Sequence, residues 1–348
     1  MIDKMNLSDF ILCSPVRNVR QACALVTLLL AGCVTRDNAR APRELLPDPT
    51  FKQWFNVCGL GLPADDGGVK AVFRSSADKV GTPAWTLAQW ASKQSLADAA
   101  VTRQTQLSTH RFQIANPSKR VVVDSRRGEL ELGLFASACY DRARLENEPW
   151  PHLLASAALT DTRYPSDVCR VALMRRLDVS MECRLTEFAD RHPGADPALH
   201  AAQFQLFLYV QDLNPDSPGY GDMLWFGIPV FDNRRPSTEE TSRRDGGKPD
   251  ASGKFIYSLP TRACQPYGQT FFDKGRIVPD KDAPWTTLRV NAAPWIVYAY
   301  KLARQKGYLP NTRLDDLYVS GLNVGWEMTG TYDAVMQVRR LSVLRAAK

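Results

Sequence analysis

The residues best suited to hold a ligand lie in one segment, 200–211, which reads HAAQFQLFLYVQ. As a strand it puts Ala202, Phe204, Leu206, Leu208 and Val210 on one face, and Gln203, Gln205, Phe207, Tyr209 and Gln211 on the other. A strand packed on both sides would not carry three glutamines. A plain solvent face seldom mixes them with Phe and Tyr. Amides donate to and accept from hydroxyls, and aromatic rings stack on the apolar C–H faces of pyranoses, so a sugar-binding sheet needs this mixture. A half-buried strand beneath a loop would use it too.

Two further segments share the character. In 321–327 (GLNVGWE), Asn323 and Glu327 fall on one face with Gly321 and Gly325, which would leave room above the sheet for a ligand or a close-packed loop. In 220–234 (YGDMLWFGIPVFDNR), Leu224, Phe226, Ile228 and Val230 share one face, and Trp225, Gly227, Pro229 and Phe231 the other. Pro229 restricts that strand to an edge or a bulge. Trp225 lies opposite an apolar face and near a long polar stretch, 233–253, whose composition suits a lid or rim. The candidate ligand contacts are therefore Gln203, Gln205, Tyr209, Trp225, Asp232, Arg234, Asn323 and Glu327.

Glycoside hydrolysis would need two carboxyl groups flanking the scissile bond. Glu327 is the first candidate for a catalytic carboxylate, and Glu182, Asp178, Glu129, Glu131 and Asp232 are its candidate partners. Nothing in the spacing places any of them opposite it, so catalysis stays open. His110, His152, His192 and His200 show no i, i+4 pair, and no cysteine lies in a CxxC pattern, which leaves a zinc site without support. His200 could serve as a base or simply end its strand. Gly59-Leu60-Gly61 lacks the strand-turn-helix setting of nucleotide binding, and no GxSxG elbow occurs. Asp212, Asn214 and Asp216 could hold a structural Ca²⁺ or merely form a turn. No other metal and no cofactor is expected.

Strands must position these residues. Gly and Pro number 21 and 23, a density that suits turns and short strands better than a helical bundle. Strands are predicted at 119–123, 129–136 (after the turn signal Arg127-Gly128), 254–259 and 285–290. Segment 171–188 alternates in its second half, with Leu177, Val179, Met181, Cys183 and Leu185 opposite Asp178, Ser180, Glu182 and Arg184, and 200–211 is its expected partner. One helix is predicted at 292–306, stopped at Gly307. Segments 316–328 and 332–344 are expected to close the chain as a hairpin across Thr329-Gly330.

The start of the chain concerns location. Arg17 and Arg20 precede the short apolar run 22–31, which ends in Leu30-Ala31-Gly32-Cys33. A basic flank, a short apolar core and small residues before a cut site describe a secretory signal, and the run is too short for an ordinary membrane span. The last four residues resemble the lipobox of bacterial lipoproteins. That resemblance implies removal of residues 1–32 and lipidation of Cys33 (palmitate). With Val34 after the cysteine rather than Asp, it also implies anchoring in the outer membrane of the cell envelope. Residues 33–48 then read as a polar tether, and 49–348 as the folded body. The net charge of +7 is modest and its basic pairs are scattered, so no nucleic-acid partner is expected. Cys58, Cys139, Cys169, Cys183 and Cys264 read as buried thiols, with one or two bridges permitted by an oxidising compartment.

Many strands, few helices and no βαβ rhythm predict an all-β fold: a jelly-roll β-sandwich with one or two short helices. The pieces 285–290 (WTTLRV), 315–321 (DDLYVSG) and 331–343 resemble the ending of carbohydrate-binding jelly rolls, galactose-binding-like or concanavalin-like. The resemblance implies a polysaccharide or oligosaccharide partner. The open functional readings are carbohydrate binding, glycan hydrolysis or lysis on a concanavalin-like sandwich, and a non-catalytic envelope scaffold.

Overall fold

Apolar residues at every second position give each long strand one face that must leave water, and two sheets built of such strands cover one another. The computed structural model describes residues 41–61, 65, 67–76, 82–235, 239–246, 252–260 and 277–348. The strands among them are β1 (Arg43–Glu44), β2 (Phe55–Cys58), β3 (Val69–Phe73), β4 (Trp85–Ala88), β5 (Arg103–Ser108), β6 (Arg111–Asn116), β7 (Lys119–Asp124), β8 (Glu129–Phe135), β9 (His152–Ala158), β10 (Met174–Asp190), β11 (Ala202–Asp212), β12 (Met223–Asp232), β13 (Thr241–Arg244), β14 (Phe255–Ser258), β15 (Thr286–Asn291), β16 (Leu317–Met328) and β17 (Tyr332–Ala347). One sheet has eight strands, in the order β15-β10-β17-β8-β7-β6-β5 with β1 beside β17. The other has nine, in the order β13-β14-β12-β11-β16-β9-β4-β2-β3. The fold is a jelly-roll-like two-sheet sandwich with one α-helix among the described residues. No helix among those residues is long and apolar enough to cross a membrane.

The core lies between the sheets. β10 contributes Leu177, Val179, Met181, Cys183 and Leu185, each at most 1% exposed, as its alternation predicts. Across the gap stand Phe204, Leu206 and Leu208 of β11 with Val324 and Trp326 of β16, all fully buried. Each such side chain contributes about 1.5–3 kcal/mol by leaving water. Trp326 also joins the sheets directly: its ring meets Phe204 edge-on at 5.0 Å, and its Nε1–H donates to the Leu132 carbonyl of β8 at 2.9 Å. The helix, α1 (Ala292–Gln305), begins where Asn291 leaves β15. Asn291 Oδ1 accepts from the N–H of Ala293 as N-cap and from the N–H of Leu177, which fixes the helix start against β10. Gly307, at φ +82°, ends it in the left-handed conformation glycine tolerates.

Several pairings differ from expectation. β10 pairs with β17 and β15, and β11 pairs with β12 and β16, so the expected partners 171–188 and 200–211 sit in opposite sheets. Likewise β16 and β17 form no hairpin: the chain crosses from one sheet to the other between them. Alternation tells which face of a strand is apolar. It is silent on whether two apolar faces meet edge to edge within a sheet or face to face across the core. At the other end, residues assigned to the tether belong to the body. β1 pairs with β17, Glu44 accepts from the N–H groups of Leu45, Leu46 and Val343, and Leu45, Leu46 and Asp48 are buried. The expected signal segment, Cys33 and Cys264 lie outside the described residues. Cys58, Cys169 and Cys183 are buried as expected, Cys139 is half-buried, and none of the four is bridged to another of them.

The polar stretch 233–253 carries β13, which pairs antiparallel with β14 and adds an edge strand to the nine-stranded sheet. Within that sheet Gly325 marks a close approach of backbones. A Cβ there would lie 2.1 Å from the Leu153 carbonyl oxygen of β9. Gly325→Ala is expected to destabilise the protein by more than ~3 kcal/mol in urea unfolding, because backbone rather than a movable side chain blocks the new atom. A variant as stable as the parent would show that β9 and β16 do not approach this closely.

Candidate functional site

The outer face of the nine-stranded sheet collects the sequence-predicted residues. Gln203, Gln205, Phe207 and Tyr209 of β11 sit between β12 and β16. Reading across the strands, one row is Asp232–Gln203–Glu327–His152, and another is Trp225–Tyr209–Gly321–Ala158. Between them lies Gly227–Phe207–Asn323–Ser156. All eight candidates thus belong to three adjacent strands and the turn that leaves β12.

A β-bulge brings Asp232 to this face. Phe204 pairs with Phe231 and Gln205 with Pro229, so Val230 is the extra residue in β12. Unbroken alternation would place Phe231 outside with Trp225. Instead Phe231 turns into the core, 5.6 Å from the Phe188 ring and 6.1 Å from Trp326, and Asp232 turns outward. Pro229 accordingly sits at a bulge, as its missing N–H requires.

The glycines do not leave open space as expected. A Cβ on Gly321 would lie 2.9 Å from the Tyr209 ring, and one on Gly227 would lie 2.7 Å from the Phe207 ring. Each aromatic side chain lies over the glycine of a neighbouring strand. Trp225 meets Tyr209 at 5.0 Å and Phe207 at 6.0 Å, nearly perpendicular to both, and its Nε1–H donates to Ser252 Oγ at 3.2 Å. Tyr209 is 4% exposed. Burial pushes its phenol up to about 12, against hydrogen bonds shared with Ser156 and Asn323. Beside it Asn323, 2% exposed, keeps an amide oxygen with no hydrogen-bond partner. A buried unpaired acceptor costs about 1–3 kcal/mol, and a donor from outside the chain would recover it. Gln205 is also buried on this face, and Gln203 is half-buried.

Asp232 is fully engaged. Its Oδ1 accepts from the backbone N–H and the Nε of Arg234, at 3.0 and 2.9 Å; its Oδ2 accepts from Arg234 Nη2 and Gln203 Nε2, at 2.7 and 2.8 Å. Burial alone would raise its pKa, but the Arg234 guanidinium, the Arg234 N–H and the Gln203 amide outweigh it and hold the carboxyl below the usual range. Four hydrogen bonds fill the acceptor sites of a carboxylate. Sequence reasoning chose Asp232 and Arg234 as ligand contacts without seeing that each takes up the other.

Glu327 is half-buried, next to His152 on β9. His152 is buried, with Nδ1 facing the Trp90 and Trp150 carbonyls at 2.8 and 3.0 Å and its ring stacked on Trp150 at 6.0 Å. No local spacing singles out His152 or Ser156 as neighbours of Glu327 and Asn323, because the pairing of β9 with β16 joins residues over 160 positions apart. Of the proposed partner carboxylates only Asp232 shares this face. Asp178, Glu182, Glu129 and Glu131 belong to the eight-stranded sheet, where Arg176 pairs with Asp178, Arg339 with Glu182 and Glu129, and Arg120 with Glu131. His200 faces backbone carbonyls with both ring nitrogens, Asp196 at 3.0 Å and Arg144 at 2.7 Å, so neither is open to a substrate proton. Asp212 accepts from Ser217 Oγ and the N–H of Asn214, and Asn214 turns to Asp316, which makes this stretch a self-closed turn. No group of three His, Cys, Asp or Glu side chains among the described residues is placed to hold a metal ion.

No family model matches the chain, and no curated protein does. Similar solved structures include a meso-active, thermo-stable cellulase derived from a Rhodothermus marinus cellulase, at 12% identity and TM-score 0.37, covering 70% of this chain and 98% of that one. A metagenome-derived glycoside hydrolase family 12 endoglucanase gives 13% and 0.37, covering 69% and 92%. The family 11 xylanase from Neocallimastix patriciarum gives 8% and 0.35, covering 75% and 100%. A likeness at these values carries no argument on activity.

The Asp232–Arg234 pair has a pH signature. Its stabilisation is present above the ordinary carboxyl pKa near ~4 and is lost as pH falls through the depressed native value. Arg234→Leu is expected to cost about 2–3 kcal/mol at pH 7, where it strands a buried carboxylate. The gap to the parent should narrow as pH falls below ~4 and through the depressed native value of Asp232, where its carboxylate in the parent takes up a proton. Urea unfolding at both pH values checks this, and an equal gap would show that the pair contributes nothing through its charge.

Proposed function

We propose that this chain is an envelope lipoprotein that binds a neutral saccharide across the outer face of its nine-stranded sheet. The observation that carries the reading is the buried, unpartnered amide oxygen of Asn323, set beside Tyr209, with Gln205 on the same strand as Tyr209 and Trp225 against the Tyr209 ring. A sugar hydroxyl is a donor that such an oxygen lacks, and the half-buried Trp225 ring offers surface to pyranose C–H groups.

Hydrolysis is the second reading, and one observation favours it. Glu327 and Asp232 share the face with a single strand between them. Neighbouring strands lie about 4.8 Å apart, which puts the two backbones about 10 Å from each other. Inverting glycosidases hold their carboxyl groups about 6.5–9.5 Å apart to admit a water. Glu327 would then act as the acid and Asp232 as the base. Against this stands the saturation of Asp232, which leaves no lone pair to take a proton from water. Binding without turnover is therefore the main reading.

Both readings are separated in one assay: the protein is mixed with neutral and acidic polysaccharides, and bound protein and released sugars are measured in the same tubes. Retention on a neutral polymer without products is expected, with Asn323→Leu lowering affinity about tenfold or more. Products that vanish in both Glu327→Gln and Asp232→Asn would establish hydrolysis instead. No retention and no products on any polymer would overturn both and favour a scaffold role.

The lipid anchor rests on Leu30-Ala31-Gly32-Cys33 and the apolar run before it. Cells fed labelled palmitate are expected to mark this protein and to hold it in the outer-membrane fraction, with label and fractionation both lost in Cys33→Ser. An unlabelled, freely soluble parent protein would rule the anchor out.

A further inference from the structure

The opposite face of the sandwich holds a cleft of different chemistry. On the outer side of the eight-stranded sheet, Arg111, Arg126, Glu129, Glu131, Arg184 and Gln337 line a depression of about 660 Å³, large enough for a short oligosaccharide. Its floor is a fixed network. Glu131 accepts from Arg120 Nε and Gln337 Nε2, both at 2.8 Å, and Gln337 Oε1 accepts from Arg184 Nε at 2.7 Å. Glu129 pairs with Arg339 at 3.5 Å.

The mouth is equally fixed. The turn between β5 and β6 is tied to the turn after β7 by the backbone N–H of Ser125, which donates to the His110 carbonyl at 2.9 Å. Asp124 Oδ1 accepts from the N–H groups of Arg126 and Arg127. These bonds set Arg111 and Arg126 at one rim. Each carboxylate of the cleft already faces a cation: Arg120, shared with Glu187, for Glu131; Arg339, shared with Glu182, for Glu129; and Arg127 for Asp124 at 4.0 Å. Neither Arg111 nor Arg126 has a carboxylate partner among the described residues. The rim thus carries two uncompensated guanidinium groups above a floor of hydrogen-bonding oxygens.

No Phe, Tyr or Trp lines the cleft among the described residues, and Trp285 beside it is occupied by Arg184 at 4.6 Å and Arg339 at 4.1 Å from its ring centre. A ligand here would be held by charge and hydroxyl contacts rather than by stacking. We propose that this cleft binds a carboxylate-bearing saccharide, with Arg111 and Arg126 on the carboxylate and Glu129, Glu131 and Gln337 toward ring hydroxyls. Planar guanidinium groups match a carboxylate, and the carboxyl and amide oxygens of the floor accept from hydroxyls. The site shares no residue with the face of the nine-stranded sheet, so either can fail alone.

The test is calorimetric titration of the protein with an oligogalacturonate and with its methyl ester, which keeps the rings and removes the charge. The free acid is expected to bind, the ester to bind about tenfold or more weaker, and affinity for the acid to fall as salt is raised. Arg111→Ala/Arg126→Ala should lose binding of the acid at least about tenfold with unchanged circular dichroism, and Asn323→Leu should leave it intact. Equal affinity for acid and ester, absence of binding by the acid, or loss in Asn323→Leu rather than in the arginine variant would each overturn the proposal.

Discussion

Both outer faces depend on the dry contact between the two sheets. Trp326 lies in that contact, with its ring against Phe204 and Phe231 and its indole N–H on the Leu132 carbonyl of the facing sheet. Once β16 commits Val324 and Trp326 to the core, strand geometry sends Asn323 and Glu327 outward. The same holds on β11, where Phe204, Leu206 and Leu208 point in and Gln203, Gln205 and Tyr209 are forced out. The polar residues of interest are therefore positioned by apolar neighbours one position away.

One residue modifies this rule. The extra residue Val230 shifts the phase of β12, sends Phe231 inward and delivers Asp232 to the outer face, where Arg234 and Gln203 fill its hydrogen-bonding capacity. A carboxylate so engaged organises a surface and takes no proton from water. The amides of Asn323 and Gln205, the half-buried Trp225 ring against Tyr209, and a locked carboxylate at the end of the row share this face. On the other side of the molecule, arginine and glutamate alternate across strands and aromatic surface is taken up by guanidinium groups. A single sandwich so presents two chemically distinct surfaces.

The sequence discloses faces far better than it discloses neighbours. The alternation of 177–185 gives the buried side of β10 residue by residue, and the helix appears with its Gly307 stop in place. Gln203, Gln205, Tyr209, Trp225, Asn323 and Glu327 fall on one surface because face assignment needs only local periodicity, whereas Asp232 arrives there through the bulge and Arg234 from the turn after it. Pairing is another matter. β10 and β11 have matching apolar faces, which is compatible with lying side by side or with facing each other, and only the whole set of strands decides. The same ambiguity turned β16 and β17 into an expected hairpin. The Phe231–Asp232 inversion was hidden because a bulge costs one residue and leaves no mark beyond Pro229. Gly321 and Gly325 were misread because the groups that close on them, the Tyr209 ring of β11 and the Leu153 carbonyl of β9, come from neighbouring strands. The cleft with Arg111 and Arg126 escaped notice because its residues are drawn from β6, β7, β8, β10 and β17, and each basic pair looks scattered along the chain.

The central claim is that a saccharide engages the outer amides of β11 and β16. It is tested most directly by following the side-chain amide resonances of Gln205, Asn323 and Gln337 by NMR while a neutral oligosaccharide retained by the protein is titrated in. Gln205 and Asn323 are expected to shift together along one binding curve, while Gln337 on the far sheet stays in place. Saturable binding that leaves Gln205 and Asn323 unmoved would contradict it.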